Sequence, residues 1–291
     1  MRELYSAIWR VSGKQQVILI ALSISIAALA AAPLKFQQEI INRLTEPSPA
    51  FEQLLFLGVA MLAVIVFSLG LKWILGYRAG ILGENITRNI RNLLYSGSRS
   101  SSEQRIEVPT GTLTTAVNSE AEELGKFTGS AFSEPLVQVG SLISVVGFIA
   151  ATQPGLGKIA IAMVIPQVFL VLYSQRKVNA LVEERVRLLR GATDQITMEA
   201  VSEVTQRVVE DFDAIYETRR SMFHWKLSTK FVLSTINGAG TVAVLILGSW
   251  LVIHQQTDVG TVVAATAGLS RLQGPTNAVI AFYRLVSATR V

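Results

Sequence analysis

The sequence contains no cysteine, only two histidines, and charged residues make up just 16% of its 291 positions. Without cysteine there is no disulfide, no iron–sulfur cluster and no thiolate zinc site. His224 and His254 are far apart in the chain and no HExxH occurs, so neither a metal site nor a histidine-based triad can be assembled from recognisable partners. Also missing is G-x-x-x-x-G-K-[ST], the loop whose backbone N–H groups, lysine and hydroxyl hold a nucleotide and its Mg²⁺. Gly238 and Gly240 of "NGAGTV" are too few for a dinucleotide loop and read as points of close helix approach. No catalytic residue and no metal ligand is therefore expected.

What is present is apolar: half of the residues, with a mean hydropathy of +0.43, well above a soluble domain of this length. An ionised side chain costs several kcal/mol at a bilayer centre, and about 20 apolar residues cross the hydrocarbon, so charge-free runs locate the spans. They are Val17 to Leu34, Leu54 to Leu71, Leu136 to Gln153, Ile159 to Gln175, Phe231 to Thr257, and Val259 to Arg284 with Arg271 inside it. Six spans are expected. "PGLGK", Pro154 to Lys158, predicts a tight turn between the third and fourth, and "HQQTD", His254 to Asp258, joins the fifth and sixth.

Lys and Arg number three before the first span, then two, seven, one, ten and none in the successive connections. This alternation assigns the N-terminus, the two long connections and the C-terminus to the cytoplasm of an inner or plasma membrane. It also disposes of the net charge of +5: the excess is spread over inside loops, not gathered on a face for nucleic acid. The basic leader and "AALAAAP", Ala27 to Pro33, resemble a signal peptide, but the apolar run is longer than such a peptide uses. Trp250 and Tyr283 read as interfacial anchors, and Pro33 and Pro166 as candidate kinks. "NIT" at Asn85 is a glycosylation sequon only if the charge rule fails.

The second and fourth connections, about 55 to 60 residues each, are too long to be structureless in a compact protein. Val182, Val186, Leu189, Ile196, Val204, Val208, Phe212 and Ile215 recur mostly at helical spacing, as do Leu113, Val117, Ala121, Leu124 and Ala131. "SGSRSSSE", Ser96 to Glu103, and the pair Pro109 and Gly111 read as loop or breaker. With no proline where spans two and four run into these connections, helices of about 25 residues descend and return, reaching roughly 35 to 40 Å beyond the bilayer. The fold class is an all-α membrane protein. Its parts are a tail over 1–16 and a six-span bundle over 17–285 with extensions at about 72–134 and 176–230.

Six spans with short outer loops and long helical inner connections after spans two and four resemble the transmembrane domain of an ABC exporter, the type-1 fold. "TGTLTTAVNSE", Thr110 to Glu120, is similar to the family's first coupling region: Gly111 and Leu113 match, Thr112 replaces an acid and Glu120 replaces Asp. "MEAVSEVTQRVVEDF", Met198 to Phe212, is similar to the second, with Glu203 where a small residue is usual. "LSRLQGPTNAVIAFYRLVSATRV", Leu269 to Val291, resembles the sixth span, with Pro275 in the expected place. The resemblance implies coupling to an ATPase domain through Gly111, Thr112, Leu113, Val117, Glu120 and Leu124 in the first region, and through Glu199, Glu203, Val204, Arg207 and Phe212 in the second. It implies two such bundles, identical or not, around one pathway, with spans four and five crossing to the partner's side. It also implies that 286–291 begins a linker to a missing or separate nucleotide-binding domain. ATP and Mg²⁺ would lie on a nucleotide-binding domain supplied in cis or in trans, since this chain has neither a phosphate loop nor an LSGGQ-like signature and is not expected to hydrolyse ATP by itself.

Arg271, mid-way along the sixth span, is the candidate pathway residue, with Gln273 and Asn277 beside it, because a charge at that depth normally faces a cavity or a partner. The competing class is a secondary transporter or channel with no ATPase, followed by a structural or signalling membrane protein. Against the first, no Asp or Glu lies inside any apolar run, and long cytoplasmic helices would have no task.

Overall fold

The computed structural model describes residues 2–103, 121–198 and 206–288. Among them there is no strand, and nine helices follow one another: α1 Arg2–Leu29, α2 Ala32–Leu44, α3 Phe51–Glu103, α4 Ala121–Ser130, α5 Ser133–Thr152, α6 Pro154–Met198, α7 Gln206–Ile253, α8 Val259–Arg271 and α9 Gln273–Ala288. Five helical segments are long and apolar enough to cross a membrane: Glu3–Leu44, Phe51–Ser96, Ala121–Thr152, Pro154–Leu189 and Phe212–Ile253. The sixth apolar run is divided between α8 and α9, neither of which is long enough alone.

Each break has a local cause. Ser12 leaves helical geometry (φ −130°, ψ 16°) where its hydroxyl donates to the Ile8 carbonyl at 2.8 Å, a back-bond that bends helices. The gap between α1 and α2 falls at Ala30 and Ala31, and Pro33 sits in the first turn of α2, where its missing N–H has no intrahelical acceptor to lose. Pro166 lies inside the continuous α6. Pro275 stands four residues after Arg271, and a proline ring clashes with the carbonyl of residue i−4, which is where α8 stops.

Two boundaries differ from the sequence expectation. "SGSRSSSE" continues α3 instead of forming a loop: it contains no proline, serine is only mildly unfavourable in a helix, and the helix is already propagating when it arrives. The turn between spans three and four is the single extended residue Gln153 (φ −144°, ψ 104°), and "PGLGK" is the first turn of α6, with Pro154 at the position a helix start favours.

The chain divides into two units, residues 1–158 with 244–291, and residues 159–243. In the first, α3 packs antiparallel on α4 through small residues. A Cβ on Gly83 would lie 2.9 Å from the Gly125 carbonyl oxygen, one on Gly125 would collide with the Thr87 hydroxyl, and one on Gly129 with the Ala79 carbonyl. α1 runs parallel to α4 and α5: Gln16 donates to the Thr128 carbonyl at 2.9 Å, and Ala27 abuts Gly140. Ile8, Phe127 and Ala131 form a buried cluster with Tyr5, Phe132 and Phe282 against it, so the N-terminal turns are part of the bundle. At the opposite end α2 and α8 are tied by Gln38 to Thr261 at 2.7 Å and by the Gly260 N–H to Asn42 at 2.8 Å.

In the second unit α6 and α7 lie antiparallel along a polar seam. Gln167 donates to Asn237 at 2.9 Å, Ser174 meets Thr229 at 2.5 Å, Tyr173 stands edge-on to Trp225, and Met163 closes on Gly240. Without a hydrophobic driving force between helices in lipid, such hydrogen bonds and close contacts hold them together.

Candidate functional site

The first unit contains a cavity of about 810 Å³ bounded by α1, α2, α3, α5, α8 and α9, with Ser130 at the end of α4 on its rim. It opens because α3 packs along α4, where glycines let the backbones approach, and the packing fades along α5. Leu29, Ile65, Leu69, Val137 and Val145 give it apolar walls. Ser68, Ser130, Ser133, Ser141 and Ser270 interrupt them with hydroxyls.

Three charged residues reach it: Lys72 from α3, Glu134 from α5 and Arg271 from the end of α8. The Glu134 carboxylate accepts from the Gln138 amide at 2.8 Å. Among the described residues neither Lys72 nor Arg271 forms an ion pair. A shallower cleft beside α2 and α3 shows the contrast: there Arg43 is held by Glu39 at 3.2 Å and Glu46 at 3.6 Å.

Of the three residues expected on the pathway, Arg271 lines this cavity, together with Gly274, Pro275 and Ala278 one and two turns on. Gln273 and Asn277 are exposed on other faces of α9 and do not line it. Lys72 and Glu134 are not conspicuous in the sequence because they flank the ends of charge-free runs and so count as loop charges. Their meeting with Arg271 is made by helices distant in the chain, and only the i, i+4 pair Glu134 and Gln138 is visible locally.

Of the coupling residues, Gly111, Thr112, Leu113, Val117, Glu120, Glu199, Glu203 and Val204 lie outside the described residues. Leu124 is half-buried in the first turn of α4, Arg207 is in the first turn of α7, and Phe212 on α7 is 49% exposed. No group of three or more His, Asp or Glu able to hold a metal occurs among the described residues. His254 is occupied by its own turn, meeting the Trp250 carbonyl at 2.8 Å with its ring tilted against that indole.

Helices longer than a bilayer is thick, close contacts through small residues and a final apolar run broken at Arg271 describe a bundle of membrane-crossing helices. The sequence matches the family model for the ABC transporter transmembrane region over residues 17–276. The chain belongs to that family. No curated protein matches it. Within this ABC transmembrane region the match takes in both candidate coupling segments and all of α6 and α7, and it ends one residue past Pro275. The break at Arg271 and all of the cavity lining except Ala278 therefore lie within the matched residues, in a membrane subunit or domain of an ABC transporter.

Proposed function

We propose that this chain is one of two membrane halves of an ATP-driven exporter, moving substrate through a pathway that includes Arg271 and taking its energy from a nucleotide-binding domain joined in cis or in trans. The observation that carries this is helix length. At 1.5 Å per residue the 53 residues of α3 span about 80 Å, the 45 of α6 about 68 Å and the 48 of α7 about 72 Å, against roughly 30 Å of hydrocarbon. The surplus forms levers whose tips, near Thr112 to Leu124 and Glu199 to Phe212, meet the ATPase domain in the cytoplasm. Closure of two such domains around ATP and Mg²⁺ favours one arrangement of the bundle through differential contacts at these tips, and stiff helices carry that preference across the membrane.

The test is reconstitution with the ATPase domain in proteoliposomes. Leu124→Asp and Phe212→Asp together should reduce ATP-dependent transport about tenfold or more while ATP hydrolysis continues, because an aspartate in a packed docking contact is a desolvated, unpaired charge. Transport that survives would sink the lever. A second reading has one observation in its favour: a helix broken beside a charge at mid-depth is a feature of ion-coupled transporters. Uptake or efflux by the chain with no ATPase present would establish that reading instead.

A further inference from the structure

We propose that the cavity between α3, α5 and the α8–α9 break binds a single-chain amphiphile with an anionic head group, Lys72 and Arg271 being the head-group contacts. This rests on the transport reading only in taking the ligand to be the cargo.

A cation in or beside the hydrocarbon is costly unless something pairs with it. The cavity wall carries two cations, both exposed and neither in an ion pair among the described residues, and one carboxylate already engaged by Gln138, so its formal charge is +1. A bound anion is the partner this arrangement lacks.

The placement fits one head group. The register of Gly83 with Gly125 and Gly129 with Ala79 sets Lys72 level with residues near Leu136. Gly268 packs between Ile149 and Val145 and Phe282 on Phe127, which sets Arg271 level with residues near Ile143. The two cations thus stand within about two helical turns, on the order of 10 Å, along the bundle. The apolar half follows from the walls: Leu29, Ile65, Leu69, Val137 and Val145 offer an alkyl chain a surface continuous with the apolar runs. A volume of about 810 Å³ suits a molecule of that size and excludes a folded domain or a long peptide.

The experiment measures binding to the chain in lipid nanodiscs without ATP or an ATPase domain, so its failure is separate from that of the lever. A pyrene-labelled dodecyl phosphate is the probe, displaced by unlabelled dodecyl phosphate, dodecyl maltoside, dodecyl trimethylammonium or inorganic phosphate. The phosphate amphiphile should compete at least about tenfold better than the neutral and cationic ones, as expected for one charge-assisted contact. Lys72→Gln and Arg271→Gln should each weaken the probe about tenfold, Lys72→Arg and Arg271→Lys should restore most of it, and Lys158→Gln, outside the cavity, should change nothing. Equal competition by all three amphiphiles, or preference for the cation, would overturn the proposal. Inorganic phosphate competing as well as the amphiphile would overturn its apolar half. The two conservative variants keep the test meaningful if a glutamine variant fails to insert.

Discussion

At the scale of single residues, what decides the bundle is size as much as polarity. Gly125 and Gly129 let α3 and α4 touch backbone to backbone, and a methyl at Gly125 would collide with Thr87 and lie 2.7 Å from the Gly83 carbonyl oxygen. Gly147, on the same span, has nothing within 4 Å of where a methyl would lie, so there the substitution gains helix propensity alone. Gly125→Ala should therefore destabilise the detergent-solubilised protein by about 1–3 kcal/mol, and Gly147→Ala should be neutral or slightly stabilising. Thermal unfolding of the two side by side checks this. Nothing in the sequence distinguishes these glycines; both sit in helical segments, and only the neighbour across the helix pair separates them.

At the scale of elements, the helices were largely legible. Apolar runs showed where spans lie, and the helical spacing around Val182 to Leu189 is the continuation of α6 past the charge-free run. The charge-free run begins at Val259, where α8 starts, but what holds that start in place was not legible. Asp258 caps it, accepting from the Thr261 N–H at 2.6 Å, while Asn42 reaches the same place from α2. Partial burial pushes the Asp258 carboxyl up, but hydrogen bonds from the Thr261 backbone and hydroxyl and from Asn42 outweigh it and leave the pKa below the ordinary carboxylate value. A depressed folded-state pKa means the stabilisation is complete above the unfolded value of about 3.9 and is lost as pH falls through the folded one. Asp258→Ala should cost about 1 kcal/mol at pH 7, the usual worth of such a cap, and the difference from the parent protein should shrink below about pH 4. Unfolding midpoints at about pH 7 and about pH 3.5 test the sign.

For the whole molecule, the proposed topology places the tips of α3, α6 and α7 on one side and the hairpin at His254 to Asp258 on the other. The absence of cysteine makes the test direct, since a single introduced cysteine is the only thiol. Gln256→Cys should react with an impermeant maleimide on intact cells, and Ser96→Cys only after permeabilisation. The opposite pattern, Ser96→Cys reacting on intact cells and Gln256→Cys only after permeabilisation, would reverse the charge-based assignment and reopen the glycosylation sequon at Asn85.

The all-α architecture and the apolar runs that the long helices follow were contained in the sequence, because the free energy of placing a side chain in hydrocarbon and the propensity of a proline-free segment to stay helical are sums over neighbouring residues. Arg271 was conspicuous for the same local reason. The cavity was decided only by tertiary structure: Lys72, Glu134 and Arg271 come from three separate helices, and their meeting depends on how closely Gly83, Gly125 and Gly129 let two neighbouring helices approach. The polar seam of Gln167, Ser174, Thr229 and Asn237 is of the same kind. Its side chains are scattered singly through two helices, and they acquire meaning only when those helices lie antiparallel and each buried polar group finds its partner.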